Sequence, residues 1–292
     1  MAQPRFAEVW RDATARLQRA ALQYGQGTED AAQEAAWMLI HALGWPVLDS
    51  FAQLPRLGRR AVPEAALQRL RPLLDARIET RRPAAYLIGE AWLHGQRFIV
   101  DERVIVPRSF IAELLDDALD PWLASPPRRI VDVCTGSGCL AILAAQRWPE
   151  AEVWGGDISA AALEVAAANV ALHASRVRLQ RSDLLQQLPQ AIDLLLCNPP
   201  YVNAQSMRAL PEEFRHEPEL ALAGGADGMD LVRRLLREAA ISLSPDGVAV
   251  VEIGHEREHF EAAFARLPVV WLPTSEPDRV FLVDAAALRA HA

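Results

Sequence analysis

The chain has 292 residues, 30 basic against 38 acidic side chains and a formal charge of −8, and every one of the 30 cations is arginine. The missing lysine excludes Schiff-base chemistry on the chain and a phosphate-binding P-loop, because both need an ammonium that arginine cannot replace. The length exceeds one average domain and falls short of two, and 51% hydrophobic residues suffice for a sizeable core.

A polar start and the lack of any apolar run long enough to span a bilayer point to a soluble, cytoplasmic protein without signal peptide or membrane span. Cys134, Cys139 and Cys197 are too few and too badly spaced for a disulfide framework or a four-ligand zinc site. They are read as reduced, mostly buried thiols, and no metal is expected.

In chain order, Phe6, Val9, Ala13, Leu17, Ala20 and Tyr24 recur at helical spacing, and Thr28, Glu29 and Asp30 open a second helix that ends at Gly44. A third runs from Pro63 through Leu67, Leu70, Leu74 and Ile78, and Pro72 inside it predicts a kink or a split. The segment 92–100, with Gly95 at its centre, reads as a hairpin linking two domains. The boundaries expected are a helical substrate-recognition domain over 1–88, a hairpin linker over 89–103 and a catalytic domain over 104–292.

From Arg129 onward, apolar strands alternate with Ala-rich helices. Strands are predicted at 129–134, 152–156, 176–180, 193–197, 248–253, 269–272 and 280–284, and helices at 139–148, 159–172, 227–243 and 255–266. The fold class is α/β, a seven-stranded, mostly parallel Rossmann-like sheet covered on both faces, whose last strand returns antiparallel.

Three strand ends carry polar groups suited to a ligand. After the first, Thr135, Gly136, Ser137 and Gly138 form a glycine turn that lets backbone approach a ligand at a helix N-terminus. Position 141, where a dinucleotide-binding turn would place its third glycine, is alanine, which speaks against a nicotinamide-dependent oxidoreductase. After the second strand, Asp157 stands where a carboxylate grips a ribose diol, although an Asp there also serves as a helix cap. After the third, Asp183 is placed to accept from an adenine amine. An adenosyl cofactor suits all three.

The fourth strand ends in Asn198-Pro199-Pro200-Tyr201. Consecutive prolines fix an extended backbone without N–H donors, leaving carbonyls and the Asn198 side-chain oxygen to face one small volume. Such a site wants an NH₂ group. Amide and adenine nitrogens are poor nucleophiles, so a methyl transferase must hold the nitrogen in line and favour its pyramidal form, with Tyr201 stacking on the flat group.

Together the glycine turn, Asp157, Asp183 and the 198–201 tetrapeptide resemble the S-adenosylmethionine-dependent protein-glutamine methyltransferases, a branch of the Rossmann-like methyltransferases with an N-terminal helical domain. The resemblance spans most of the chain, through segments 82–87, 98–109 and 214–222 and Gly228. Residues 100–109, 135–142 and 215–222 look most like the bacterial subfamily that methylates a glutamine of large-subunit ribosomal protein three, which would place the protein in ribosome biogenesis. The sister subfamily, acting on peptide release factors, shares the tetrapeptide and differs in these segments.

The resemblance implies cofactor contacts at Asp132, Thr135, Gly136, Gly138, Asp157, Asp183 and Asn198, and catalytic contacts at Asn198, Pro199, Pro200 and Tyr201. Glu113 and Glu217 are weaker candidates, equally readable as solvated or capping carboxylates. Phe110, where the subfamily carries proline, and the glycine-free segment 275–279 depart from the pattern outside the catalytic set.

A nucleic-acid adenine methyltransferase is the rival of another class, but a pI near 5.4 offers no basic face, so no direct nucleic-acid contact is expected. Residues 1–88 hold 12 Arg against 9 Asp and Glu, a balance of +3, leaving 18 against 29, or −11, for the remainder. A charge run is usually a solvated face; the alternative is a field that draws in a basic protein substrate. On that alternative, kcat/KM for a basic protein substrate falls as ionic strength rises, and a flat profile across a salt series discards it.

Overall fold

The computed structural model describes residues 3–291, apart from the side chain of Asp49. The chain divides into two compact units. One runs to Glu102 and includes Pro211–His216; the other holds Arg103–Leu210 and the chain from Glu217 on. No described helix is long and apolar enough to cross a membrane.

In the first unit, helices Phe6–Arg19, Ala31–Leu43 and Glu64–Thr80 carry the core. Asp30 caps the second by accepting from the Ala32 and Gln33 N–H groups, and Gly44 closes it at φ 69°. Contrary to the expected break, Glu64–Thr80 runs uninterrupted through Pro72. Pro72 and Gln68, the two ends of the lost hydrogen bond, both lie on the exposed side, where water can satisfy the freed carbonyl. The hairpin forms from β1 (Glu90–Leu93) and β2 (Gln96–Ile99). His94 and Gly95 both have positive φ, as a two-residue primed turn requires. The hairpin and the residues to Glu102 belong to this unit.

Sequence periodicity gave no sign of a buried ion pair here. Arg77, on the inner face of Glu64–Thr80, donates from Nε to Glu34 Oε1 at 2.8 Å, and both side chains are almost wholly buried. Its other nitrogens donate to the Gln23 and Arg81 carbonyls.

The second unit holds a seven-stranded sheet of β3 (Arg129–Val133), β4 (Glu152–Asp157), β5 (Arg178–Arg181), β6 (Ile192–Cys197), β7 (Leu243–Glu252), β8 (Val270–Trp271) and β9 (Val280–Asp284). Their order is β5-β4-β3-β6-β7-β9-β8, with β3 to β7 parallel and β9 antiparallel to both its neighbours. The seven expected strands all form, and only the last keeps its bounds; the first, second and fourth differ by a single residue at one end. The third starts two residues late, and β8 shrinks to two residues. The fifth begins at Leu243, because 244–247 bulge out between the Ile192↔Leu243 and Leu194↔Val248 pairs; its Pro-Asp-Gly looks like a turn in sequence, which hid the start. Leu194–Cys197 and Ala249–Val251 are fully buried, the mark of strands covered on both faces. Val232, Leu235, Leu236 and Ala239 of helix Asp230–Ser242 pack on one of those faces. A C-terminal helix, Ala285–His291, was not anticipated.

Removing one partner of the buried pair strands a charge. Arg77→Met should therefore cost about 3–5 kcal/mol, and adding Glu34→Leu should restore most of it. Urea unfolding of both variants checks this.

Candidate active site

Register aligns the ends of the central strands. Val133 of β3 lies opposite Gly156 of β4 and Cys197 of β6, so Cys134, Asp157 and Asn198 emerge side by side at the carboxyl edge. The sheet order turns back at β3, where open α/β sheets hold ligands.

The turn after β3 is wound through Cys134 (φ 59°), Gly136 (φ 54°) and Gly138 (φ 79°) before helix Cys139–Arg147. It is supported from behind. Asp132, fully buried, accepts from Thr135 Oγ1 at 2.5 Å and from the Ala141 N–H at 3.2 Å, and burial pushes its carboxyl up to about 7. Asn169 donates to the Ser137 carbonyl at 2.9 Å, and a Cβ on Gly138 would press on Ala166 at 3.2 Å.

A cavity of about 230 Å³ opens at this edge, its floor formed by Cys134, Gly136, Asp157, Ser182, Asp183, Asn198 and Pro200. Val104, Ile105, Pro218, Leu220, Leu231 and Arg234 complete the wall. Four of the residues expected at a cofactor, Gly136, Asp157, Asp183 and Asn198, are thus brought together. Asp132, Thr135 and Gly138 are not among the lining residues; they shape the turn from beneath, because their side chains or backbone space are consumed by packing and hydrogen bonds.

The cap of the following helix is Ser159, whose side chain accepts from the Ala162 N–H, and the residue facing the cavity beside it is Asp157. Its Oδ1 accepts from the Ser159 N–H and its Oδ2 from the Gly136 N–H, each at 2.9 Å, and an ionised carboxylate retains lone pairs beyond these two. Burial raises its pKa. Asp183 faces the cavity already paired, its Oδ2 accepting from Arg234 Nη2 at 2.8 Å. Asn198 is half-buried, and its side-chain amide makes no hydrogen bond to any described residue.

Pro199 is buried and does not line the cavity. Nor does Tyr201, whose ring and backbone pack within the protein. Its hydroxyl lies 3.5 Å from Glu252 Oε1, and its ring edge fills the space a Cβ on Gly254 would take. Its backbone rests on Gly224 and Gly228, where a side chain would likewise collide. Val202 N–H donates to the Leu222 carbonyl and Gly224 N–H to the Val202 carbonyl, tying this loop to segment 218–224.

Two buried carboxylates that periodicity does not single out hold the wall. Glu252 at the end of β7 accepts from Ser109 Oγ at 2.6 Å and the Phe110 N–H at 2.9 Å, and burial lifts it to about 7. Its place at a strand carboxyl end was the available signal. Glu217 is neither solvated nor a cap: it accepts from the Val106 N–H at 3.0 Å and from both Arg108 Nη atoms at 2.5 and 2.7 Å. Glu113 accepts from Ser275 N–H and Oγ and fixes the C-terminal loop. Arg234 and Asn169, single polar positions on helices, gave no motif.

Family models match the methyltransferase small domain over residues 111–263 and the PrmC N-terminal domain over residues 8–89. Relatives named ribosomal protein uL3 glutamine methyltransferase match nearly end to end: 54% identity in Bordetella pertussis, covering 96% of this chain and 95% of the relative; 50% in Burkholderia pseudomallei, covering 98% and 96%; and 46% in Neisseria meningitidis serogroup A, covering 96% and 93%. Among solved structures, a ribosomal protein L11 methylase from Lactobacillus delbrueckii subsp. bulgaricus is similar at 21% identity and TM-score 0.43, covering 63% of this chain and 81% of that one.

Glu252 has a folded-state pKa above its unfolded value, so its contribution to stability is complete below about pH 4 and is lost as pH rises through about 7. Glu252→Gln removes that titration. Between about pH 5 and about pH 8, wild type should lose stability relative to the variant; denaturant unfolding at both pH values measures the difference.

Proposed function

Because the chain belongs to the family of ribosomal protein uL3 glutamine methyltransferases, we propose that it transfers a methyl group from S-adenosylmethionine to the side-chain nitrogen of one glutamine of ribosomal protein uL3. The observation that carries the reading is the cavity that Asn198 and Pro200 line together with Asp157, Asp183 and Gly136. A cytoplasmic setting accompanies that substrate.

The lining fits the cofactor. Asp157 has lone pairs left for a ribose diol and Asp183 has a free Oδ1 for an adenine amine, and apolar residues such as Leu184, Leu231 and Ile105 suit the purine faces. When bound, S-adenosylmethionine supplies an electrophilic methyl on a sulfonium.

The chain's own residues have one task, which is to present a weakly nucleophilic amide nitrogen. Asn198 Oδ1, which lines the cavity, accepts from an N–H of the glutamine, weakening the conjugation of the nitrogen lone pair and aiming it along the transfer axis. No strong base is required, because the methylated amide sheds its proton to water after attack. Pro199 and Pro200 offer no competing N–H, and the three glycines packed on Tyr201 keep the loop from relaxing. On this reading the helical unit, which matches the PrmC N-terminal domain, takes the role of substrate recognition.

With unmethylated uL3 and S-adenosylmethionine, mass spectrometry should find one added methyl on one glutamine, and Asn198→Ala should reduce the rate by about a hundredfold or more. Methylation of a release factor in place of uL3 would refute the substrate.

A further inference from the structure

Helix Asp230–Ser242 sends two side chains to the loop after β5. Arg234 Nη2 donates to Asp183 Oδ2 at 2.8 Å, and Glu238, one turn later, accepts from the Leu185 N–H at 3.0 Å. The two stand 3.8 Å apart as an i,i+4 pair.

The loop they hold is wound against its own preference. Leu184 has φ 49°, a region non-glycine residues seldom adopt, and Ser182 Oγ donates to its carbonyl at 2.7 Å. The Gln187 side chain accepts from the Asp183 N–H at 3.1 Å, and Ser182 N–H donates to the Asp157 carbonyl. Backbone ties of this kind already fix the loop, so the guanidinium on Asp183 is not needed for loop shape. What it does fix is the carboxylate's rotation, and both groups line the cavity.

We propose that Arg234 is a positioning residue that makes the cavity selective for a 6-aminopurine. By occupying Oδ2 it turns Oδ1, an acceptor only, toward the purine 6-position. An amino group donates to that oxygen, whereas a 6-oxo group would set two acceptors face to face, an arrangement that leaves both unpaired. Arginine suits the task because its planar fork fixes direction as well as charge. The inference rests on the adenine placement at Asp183 given above.

Calorimetry of the full chain with S-adenosylhomocysteine and its 6-oxo counterpart, S-inosylhomocysteine, tests it. Wild type should bind the adenosyl compound roughly ten- to hundredfold more tightly. Arg234→Leu should shrink that ratio to within about threefold, and Arg234→Lys should restore part of it. Glu238→Gln, which touches the loop without touching Asp183, should leave the ratio as in wild type. Equal weakening of both compounds by Arg234→Leu would reduce Arg234 to loop support and overturn the proposal, as would a wild type without preference. A ratio untouched by Asp183→Asn would remove the purine from Asp183 and the inference with it. Failure of wild type to bind S-adenosylhomocysteine at all would instead strike the cofactor reading itself.

Discussion

The parallel register of β3, β4 and β6 is the constraint on which the rest of the second unit depends. Because Val133, Gly156 and Cys197 lie in one row of the ladder, the next residue of each strand leaves the sheet at the same height. A cysteine in a left-handed turn, a carboxylate and an asparagine amide then face one cavity, though 23 and 41 residues separate them along the chain. A slip of one residue in β4 or β6 would either draw Asp157 or Asn198 into the ladder or, in the other direction, carry it past the edge and leave Gly156 or Cys197 in its place.

Around that row, buried carboxylates act as fasteners. Asp132 holds the glycine turn to its helix, Glu217 holds Val106 and Arg108, and Glu252 holds Ser109 and Phe110 while facing the Tyr201 hydroxyl. Burying a carboxylate is costly unless several donors meet it, and each of these meets at least two. The arrangement explains why segments 101–109 and 214–222, which carry no reactive group, resemble the same family as the tetrapeptide. Through Glu217, Glu252 and the Val202 backbone bonds they set the wall and the loop that present Asn198. In the helical unit Arg77 and Glu34 play the comparable part between two helices.

Legibility followed the range of the interaction. The alternation of strands and helices, the glycine turn, the acidic strand ends and the 198–201 tetrapeptide are local patterns, and they led to the sheet, to five cavity residues and to the family. The expected split at Pro72 did not occur, since its effect depends on which face of the helix meets water. The protein neighbours of Tyr201 and Asp132, Glu252 and Gly254 for the first and Thr135 and Ala141 for the second, are fixed by packing and were not legible in the motifs.

The sequence by itself determined the α/β class, the ligand edge and the chemistry that an asparagine and two prolines can offer an amide, because these depend on residue type and short spacing. Only the tertiary structure decided which polar groups face the cavity and which hold it together. Asp157 and Asp132 are equally acidic in sequence. One meets two backbone N–H groups at the cavity's edge; the other is enclosed beneath the turn, which it braces through Thr135 and the Ala141 N–H. That difference arises from contacts between distant strands and helices, which no local pattern encodes.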